Sequence, residues 1–343
     1  MGRAPKKKGS SITFIRPPVV VSWASMVGPM EGRGPYGAEF DWIMEDYLFG
    51  EPSWDRSESK MLRETIRIAG RKISLEDNDT EVIIAGDLLK QIAASNHAAR
   101  DLNVPFLGIY GACSTLGEGS ILGAMLIDGG YCHRTAVGAV SHHHTAEADF
   151  GLPSNISASA LPTAQWTVTG AGCLMLCDTG LGPSMTTATI GRVVDSEQGD
   201  INDLGGAMAP ATADTMIRHF QDLERMPEYY DLIITGDLGK IGASLVREIC
   251  SSKGYNLHDR HVDCGVMIYD PAQDVQAGGR GCGCTAAMVC GPFLNQMAKG
   301  VASRILVVGT GALTGYSTGV PDETIPCIAH AVSIEKLHNK VVS

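Results

Sequence analysis

Three observations predict a layered α/β fold built from two similar halves, in the order α-β-α-β-α. First, residues 81–88 read EVIIAGDL and residues 231–238 read DLIITGDL, two apolar strands ending in Gly-Asp and lying 150 residues apart. Second, Gly111-Ala112-Cys113-Ser114-Thr115 and Gly281-Cys282-Gly283-Cys284-Thr285 each lead a helix of small residues. Each helix is followed by a strand beginning at Arg134 or at Arg304, and these pairs are 170 residues apart. Third, those two helices are rich in Gly, Ala, Met and Leu on all sides. A helix that is apolar all round belongs inside a structure, here between two sheets, and strands alternating with helices give α/β layers.

The elements follow in order. Residues 1–10 carry Lys6-Lys7-Lys8 and are expected to be a solvated basic tail. Residues 11–185 form the first half and 186–343 the second. In the first half, the strand at 81–88 leads to a helix at 90–101, a short strand at 105–110, the Cys113 turn and its helix. A strand from Arg134 follows, and then two closing strands, the polar one at 165–172 and the apolar GCLMLC run ending at Cys177. The second half repeats this order. Its 20 extra residues fall within 259–278, which reads as a hairpin.

Composition narrows the function. The 343 residues are 44% hydrophobic and 19% charged, enough to bury a core. A net charge of −11 argues against a nucleic-acid partner, whose phosphates select a basic face. No apolar run approaches the length of a bilayer-spanning helix. The basic N-terminus has no apolar stretch behind it and is not expected to be a secretory signal. Ten cysteines in apolar settings then read as reduced, buried thiols. No glycine cluster completes a nucleotide phosphate loop.

Cys113 is the sharpest chemical feature. It sits where a strand turns into a helix, and the unpaired N–H groups and dipole of a helix start lower a thiol's pKa. A nucleophile and a small buried residue are both open there. Three adjacent histidines, His142-His143-His144, follow the strand from Arg134; neighbours in sequence point apart, which disfavours a chelate. The Cys282-x-Cys284 pair lacks the second pair of a zinc site.

A duplicated α/β half with Cys113 on a turn into a buried helix resembles the thiolase superfamily, which includes ketoacyl-ACP synthase III. The resemblance implies the thiolase-like five-layered fold and two further catalytic residues, a His after the strand at 233–238 and an Asn on the turn at 281–285. Gly236-Asp237 and Gly281-Cys282-Gly283-Cys284 stand there instead. Without them an enolate has no donors, so no catalytic residue and no enzymatic activity are expected. An acyltransferase or condensing enzyme using Cys113 is the alternative.

A closer resemblance covers nearly the whole chain. AMLIDGG at 124–130, GGAMAP at 205–210, HVDCGVMIYD at 261–270, GTGAL at 309–313 and ETIPCIAH at 323–330 are similar to the stage V sporulation protein AD family of spore-forming bacteria. That resemblance implies a protein that binds dipicolinic acid and holds no cofactor. It implies work with other stage V sporulation A membrane proteins, moving calcium dipicolinate into the developing spore and out in germination. The chain is then expected in the forespore, at the spore inner membrane through partners, and as a homodimer, the habit of the thiolase fold.

A flat pyridine with two carboxylates needs donors for each carboxylate and an apolar slot for the ring, with Ca²⁺ as an optional bridge. The expected ligand residues are Cys113 and Ser114 at the helix start, His142 as a cationic or N–H donor, and Thr145 and Glu147, which match the family pattern. Asp87 is open between a bridge to calcium and a cap, whereas Asp237 is read as a cap or cross-half bond. Arg280, where the family residue is usually small, is open between pairing a carboxylate and facing solvent. Asn96 is read as core, and Arg192 as a partner of Asp195 or of backbone.

Overall fold

The computed structural model describes residues 6–149, 161–313 and 324–337. The sheet runs through ten strands: β1 Val19–Val27, β2 Val82–Gly86, β3 Phe106–Gly108, β4 Arg134–Ser141, β5 Gly170–Cys177, β6 Ser184–Thr189, β7 Leu232–Thr235, β8 His261–Asp263, β9 Arg304–Ala312 and β10 Cys327–Glu335. Their order is β8-β7-β9-β10-β6-β1-β5-β4-β2-β3. Read outward from the middle, the two sides match. β1-β5-β4 and β6-β10-β9 are antiparallel throughout, and β4-β2-β3 and β9-β7-β8 are parallel. The sides meet at one antiparallel residue pair, Ser184 with Val19.

The helices are α1 Trp54–Arg71, α2 Ala93–Leu102, α3 Thr115–Gly129, α4 His143–Asp149, α5 Leu204–Leu223, α6 Gly239–Ser252 and α7 Cys282–Met288. A π-helical turn, Val289–Phe293, extends α7. Three apolar clusters mark three helical layers. Met61, Leu62 and Ile66 of α1 pack on the outer face of the first half. Met208, Met216 and Phe220 of α5 do so on the second. Between the sheets lie Leu116, Ile121 and Ala124 of α3 with Ala286, Ala287 and Met288 of α7. This is the five-layered thiolase-like arrangement. Burial on both sides explains why α3 and α7 are apolar all round.

Glycine permits the closest approach. A Cβ on Gly172 of β5 would lie 2.1 Å from the Ala286 carbonyl oxygen of α7, so the central helix rests directly on strand backbone.

Four sequence expectations need correction. Residues 259–278 form no hairpin. β8 pairs in parallel with β7, and Asp263 accepts N–H bonds from Leu238, Gly239 and Val266, turning the chain into a helical turn at Cys264–Met267. Residues 165–172 are not one strand: Trp166–Thr167 pairs with Gly279–Arg280 in a separate two-stranded ribbon. The helix expected at 90–101 begins at Ala93, because Gln91 and Ile92 are left-handed, at φ 62° and 48°. The basic run Lys6–Lys8 is not a free tail but pairs with Ser11–Thr13.

Candidate functional site

The Cys113 turn is closed on itself. Ala112 takes φ 50°, and the Ser114 hydroxyl donates to the Gly111 carbonyl at 2.6 Å. The Ser114 N–H bonds the same carbonyl at 3.0 Å, and the Thr115 hydroxyl donates to the Ala112 carbonyl. Ser114 is fully buried. Its donors hold the turn, so they do not face a ligand as the sequence suggested.

Cys113 is half-buried. It lies beside the buried Asp237 carboxylate of the other half. Burial first, and then this carboxylate, push the thiol well above its usual range. The helix start was expected to lower it; desolvation and a like-charged neighbour outweigh the dipole.

Asp237 is a junction. Its carboxylate accepts from Thr310 Oγ1 at 2.6 Å and from the Gly281 N–H at 2.7 Å. The carboxyl is fully buried and its pKa is raised by desolvation. Both donors lie in its own half, so Asp237 ties β9 to the turn that opens α7, and across the halves it faces Cys113. Asp87, its counterpart, accepts from the N–H of Leu89 and from both the N–H and hydroxyl of Ser95. It staples the turn into α2 and sits in a different hydrogen-bond network from Cys113.

The backbone at 280–281 links Asp237 to a second polar cluster. Arg280 donates through Nη2 to Glu147 Oε1 at 2.8 Å and through Nε to Thr167 Oγ1 at 3.0 Å. Thr167 donates to the same Glu147 oxygen at 2.7 Å. Both charged side chains are about nine-tenths buried, 12% and 11% exposed. Glu147 is in α4 and Arg280 in the second half, so the pair crosses the molecule. Thr145 donates to Glu58 Oε2 at 2.5 Å. Glu58, on α1, is fully buried, and desolvation raises its pKa well above the usual range.

His142 is not a cationic donor. It is fully buried, its Nε2 bonds the Tyr47 carbonyl at 2.8 Å, and burial lowers its pKa to about 4. The imidazole is therefore neutral at pH 7. The three rings also do not splay apart, because α4 begins at His143 and coils them together. His144 lies 5.7 Å from His142 and 5.1 Å from His143, centroid to centroid. His143 stacks on Trp166 at 3.8 Å. The Nδ1 atoms of all three, Glu58 Oε1 and Trp166 Nε1 are shielded from water and lack a hydrogen-bond partner among the described residues. Each such atom costs about 1–3 kcal/mol, a concentration that points to a binding region. Among the described residues, no group of three or more His, Cys, Asp or Glu is disposed to hold a metal ion.

The chain was compared with known proteins. The family model for stage V sporulation protein AD matches residues 8–335. Stage V sporulation protein AD of Bacillus subtilis (strain 168) is 39% identical over 323 residues, 94% of this chain and 96% of that protein. The chain belongs to the stage V sporulation protein AD family. Solved structures similar to it include 3-oxoacyl-[acyl-carrier-protein] synthase III of Aquifex aeolicus VF5, with TM-score 0.59, 11% identity, and 93% and 100% of the two chains covered. Cerulenin-bound OleA of Xanthomonas campestris has TM-score 0.62, 14% identity, and coverage of 96% and 100%. These show a shared fold.

For this member of the stage V sporulation protein AD family, sequence reasoning missed Trp166, His143, Glu58, Tyr47 and Thr310 around the site. Trp166 was read only as part of a polar strand, and the helix that carries Glu58, α1 Trp54–Arg71, was not among the elements read from the sequence. Asn96 is exposed, not core; its side chain donates to the Gln91 and Ile92 carbonyls and holds the left-handed turn. Arg192 pairs with Asp214, not Asp195. Among the described residues no helix is long and apolar enough to cross a membrane.

Proposed function

We propose that this chain is a non-catalytic binder of dipicolinic acid, taken as the free acid or as its calcium chelate. It would serve dipicolinate uptake in sporulation and release in germination. It would work as a homodimer beside other stage V sporulation A membrane proteins, peripheral to the inner membrane of the forespore. The setting of Cys113 carries the non-catalytic part: a nucleophilic thiol needs a base or a cation to ionise it, and here burial and the neighbouring Asp237 carboxylate raise its pKa instead. Family membership supports the sporulation role. Trp166 Nε1–H, which beside the Arg280–Glu147 pair lacks an acceptor among the described residues, supports a ligand that accepts hydrogen bonds, as a carboxylate does.

The alternative, acyl transfer through Cys113, draws on the fold shared with condensing enzymes and on the partial exposure of Cys113. Calorimetric titration with dipicolinic acid, with and without Ca²⁺, separates the two readings. Saturable binding that Arg280→Ala weakens, with no acyl group transferred to Cys113 from an acyl-CoA, supports the first. Absence of binding under both conditions removes it, and acylation with turnover establishes the second.

A further inference from the structure

Trp166 and His143 form a polar stack beside the ion pair that joins the halves. Trp166 lies in the ribbon opposite Gly279–Arg280, and its indole plane is within 4° of the His143 ring. Trp166 Nε1–H has no acceptor among the described residues and is closed off from solvent. An indole N–H can only donate, so the group that completes it must be an acceptor. His143 is 4% exposed. Its backbone N–H donates to Thr169 Oγ1 at 3.0 Å. Its Nδ1 has no partner among the described residues; that atom accepts when the ring is neutral and donates when it is protonated.

We infer that the Trp166–His143 stack is a carboxylate subsite, in which Trp166 Nε1–H donates to a carboxylate oxygen of a planar aromatic dicarboxylate and His143 gains a proton at Nδ1 to bind the same group. This rests on the dipicolinate reading above and places one of the ligand's two carboxylates. Arg280 stands in the same ribbon, but Glu147 already offsets its charge, so an arriving carboxylate brings uncompensated charge unless a proton comes with it. Among the described residues, the charged and titratable groups around His143 are His142 before α4, His144, Glu147 and Asp149 on α4, Arg280 from the ribbon, and Asp55 and Glu58 from α1, which packs on α4. Burial, with His144 and Arg280 opposing protonation and Glu147 favouring it, lowers the His143 pKa to about 4. The free protein thus holds this ring neutral at pH 7, and an anion against it reverses the balance.

The test is calorimetry of the full chain with dipicolinic acid at pH 7, in two buffers of different ionisation enthalpy, for the parent, Trp166→Phe and His143→Gln. The parent is expected to take up close to one proton on binding. Trp166→Phe keeps the aromatic stack and is expected to weaken binding about tenfold, the loss of roughly one hydrogen bond to a charged group. His143→Gln is expected to abolish the proton uptake. A parent that binds without proton uptake overturns the inference, and this arm needs no variant to fold. Unchanged affinity in a folded Trp166→Phe overturns it as well. A parent that binds no dipicolinate fails the dicarboxylate reading itself.

Discussion

The Cys113 thiol lies beside the buried Asp237 carboxylate, so the turn that opens α3 meets the strand end of the other half, and burial with that negative charge keeps the proton on sulfur. In Asp237→Asn the negative charge is gone, the amide oxygen can still accept from the Gly281 N–H, and the amide NH2 can donate to the Thr310 hydroxyl, which accepts as well as donates. The Cys113 pKa should fall, and alkylation by iodoacetamide at pH 8 should accelerate by about tenfold for each unit of that fall. The nine other cysteines are buried, so peptide mapping after brief labelling reports on Cys113. An unchanged rate would show that Asp237 does not hold the thiol proton.

Arg280 and Glu147 should be strongly coupled. Arg280→Met leaves a carboxylate nearly buried without its cation, at a cost of roughly 3 kcal/mol. Arg280→Met with Glu147→Met removes both charges and should recover much of that loss. Urea unfolding of the parent, both single variants and the double variant gives the coupling energy; a value below about 0.5 kcal/mol would mean the pair acts as two independent residues.

Glu31 should make stability fall as pH rises. Its carboxyl is fully buried, accepts from Tyr269 Oη and the Thr169 N–H, and has a pKa raised to about 7 by desolvation. The unfolded chain releases this proton near its ordinary value of 4.5 and the folded chain near 7. The folded state therefore binds the extra proton between those values, and its contribution is full below 4.5 and lost by 7. Between pH 4.5 and 7 the parent should lose about 3 kcal/mol relative to Glu31→Gln. Parallel stability curves for the two proteins would contradict this.

Gly172→Ala should be among the most damaging single-methyl additions. The new Cβ meets the Ala286 carbonyl at 2.1 Å, and β5 and α7 are both held on two sides. A loss of about 3 kcal/mol or more is expected. Gly254→Ala, where φ is +85° and nothing lies within 4 Å, should cost only the left-handed backbone penalty of about 1–2 kcal/mol. Equal thermal shifts in the two variants would mean that α7 can move aside.

The layered fold was legible because it is written twice: GDL at 86–88 and 236–238, and the two small-residue helix starts, are local patterns that survive duplication. The site was less legible, because its chemistry depends on distance in the chain. The helix start at Cys113 is a local feature and suggested a lowered pKa, whereas Asp237, 124 positions later, and burial raise it. Asp87 and Asp237 look alike in sequence, yet one bonds the start of the helix that follows it and the other bonds the distant turn at Gly281 and strand residue Thr310. His142 reads as a donor until Tyr47 is placed on its Nε2. Residues 259–278 looked like a hairpin because apolar alternation does not say which strand a segment will join, and β7 had an open edge for β8.

The pairing of β1 with β5 has a consequence for the order of events during synthesis. β1 finishes at Val27, but its partner begins only at Gly170, so the first half cannot close its sheet until more than half the chain has left the ribosome. Even then α3 has one flank bare, since Gly117 is meant to sit against Gly309 and His330. A nascent first half thus presents an apolar helix face and an unclosed strand edge together, the combination that invites aggregation. The folding transition should therefore be slow and all-or-none, with the early half dependent on protection until the late half covers it.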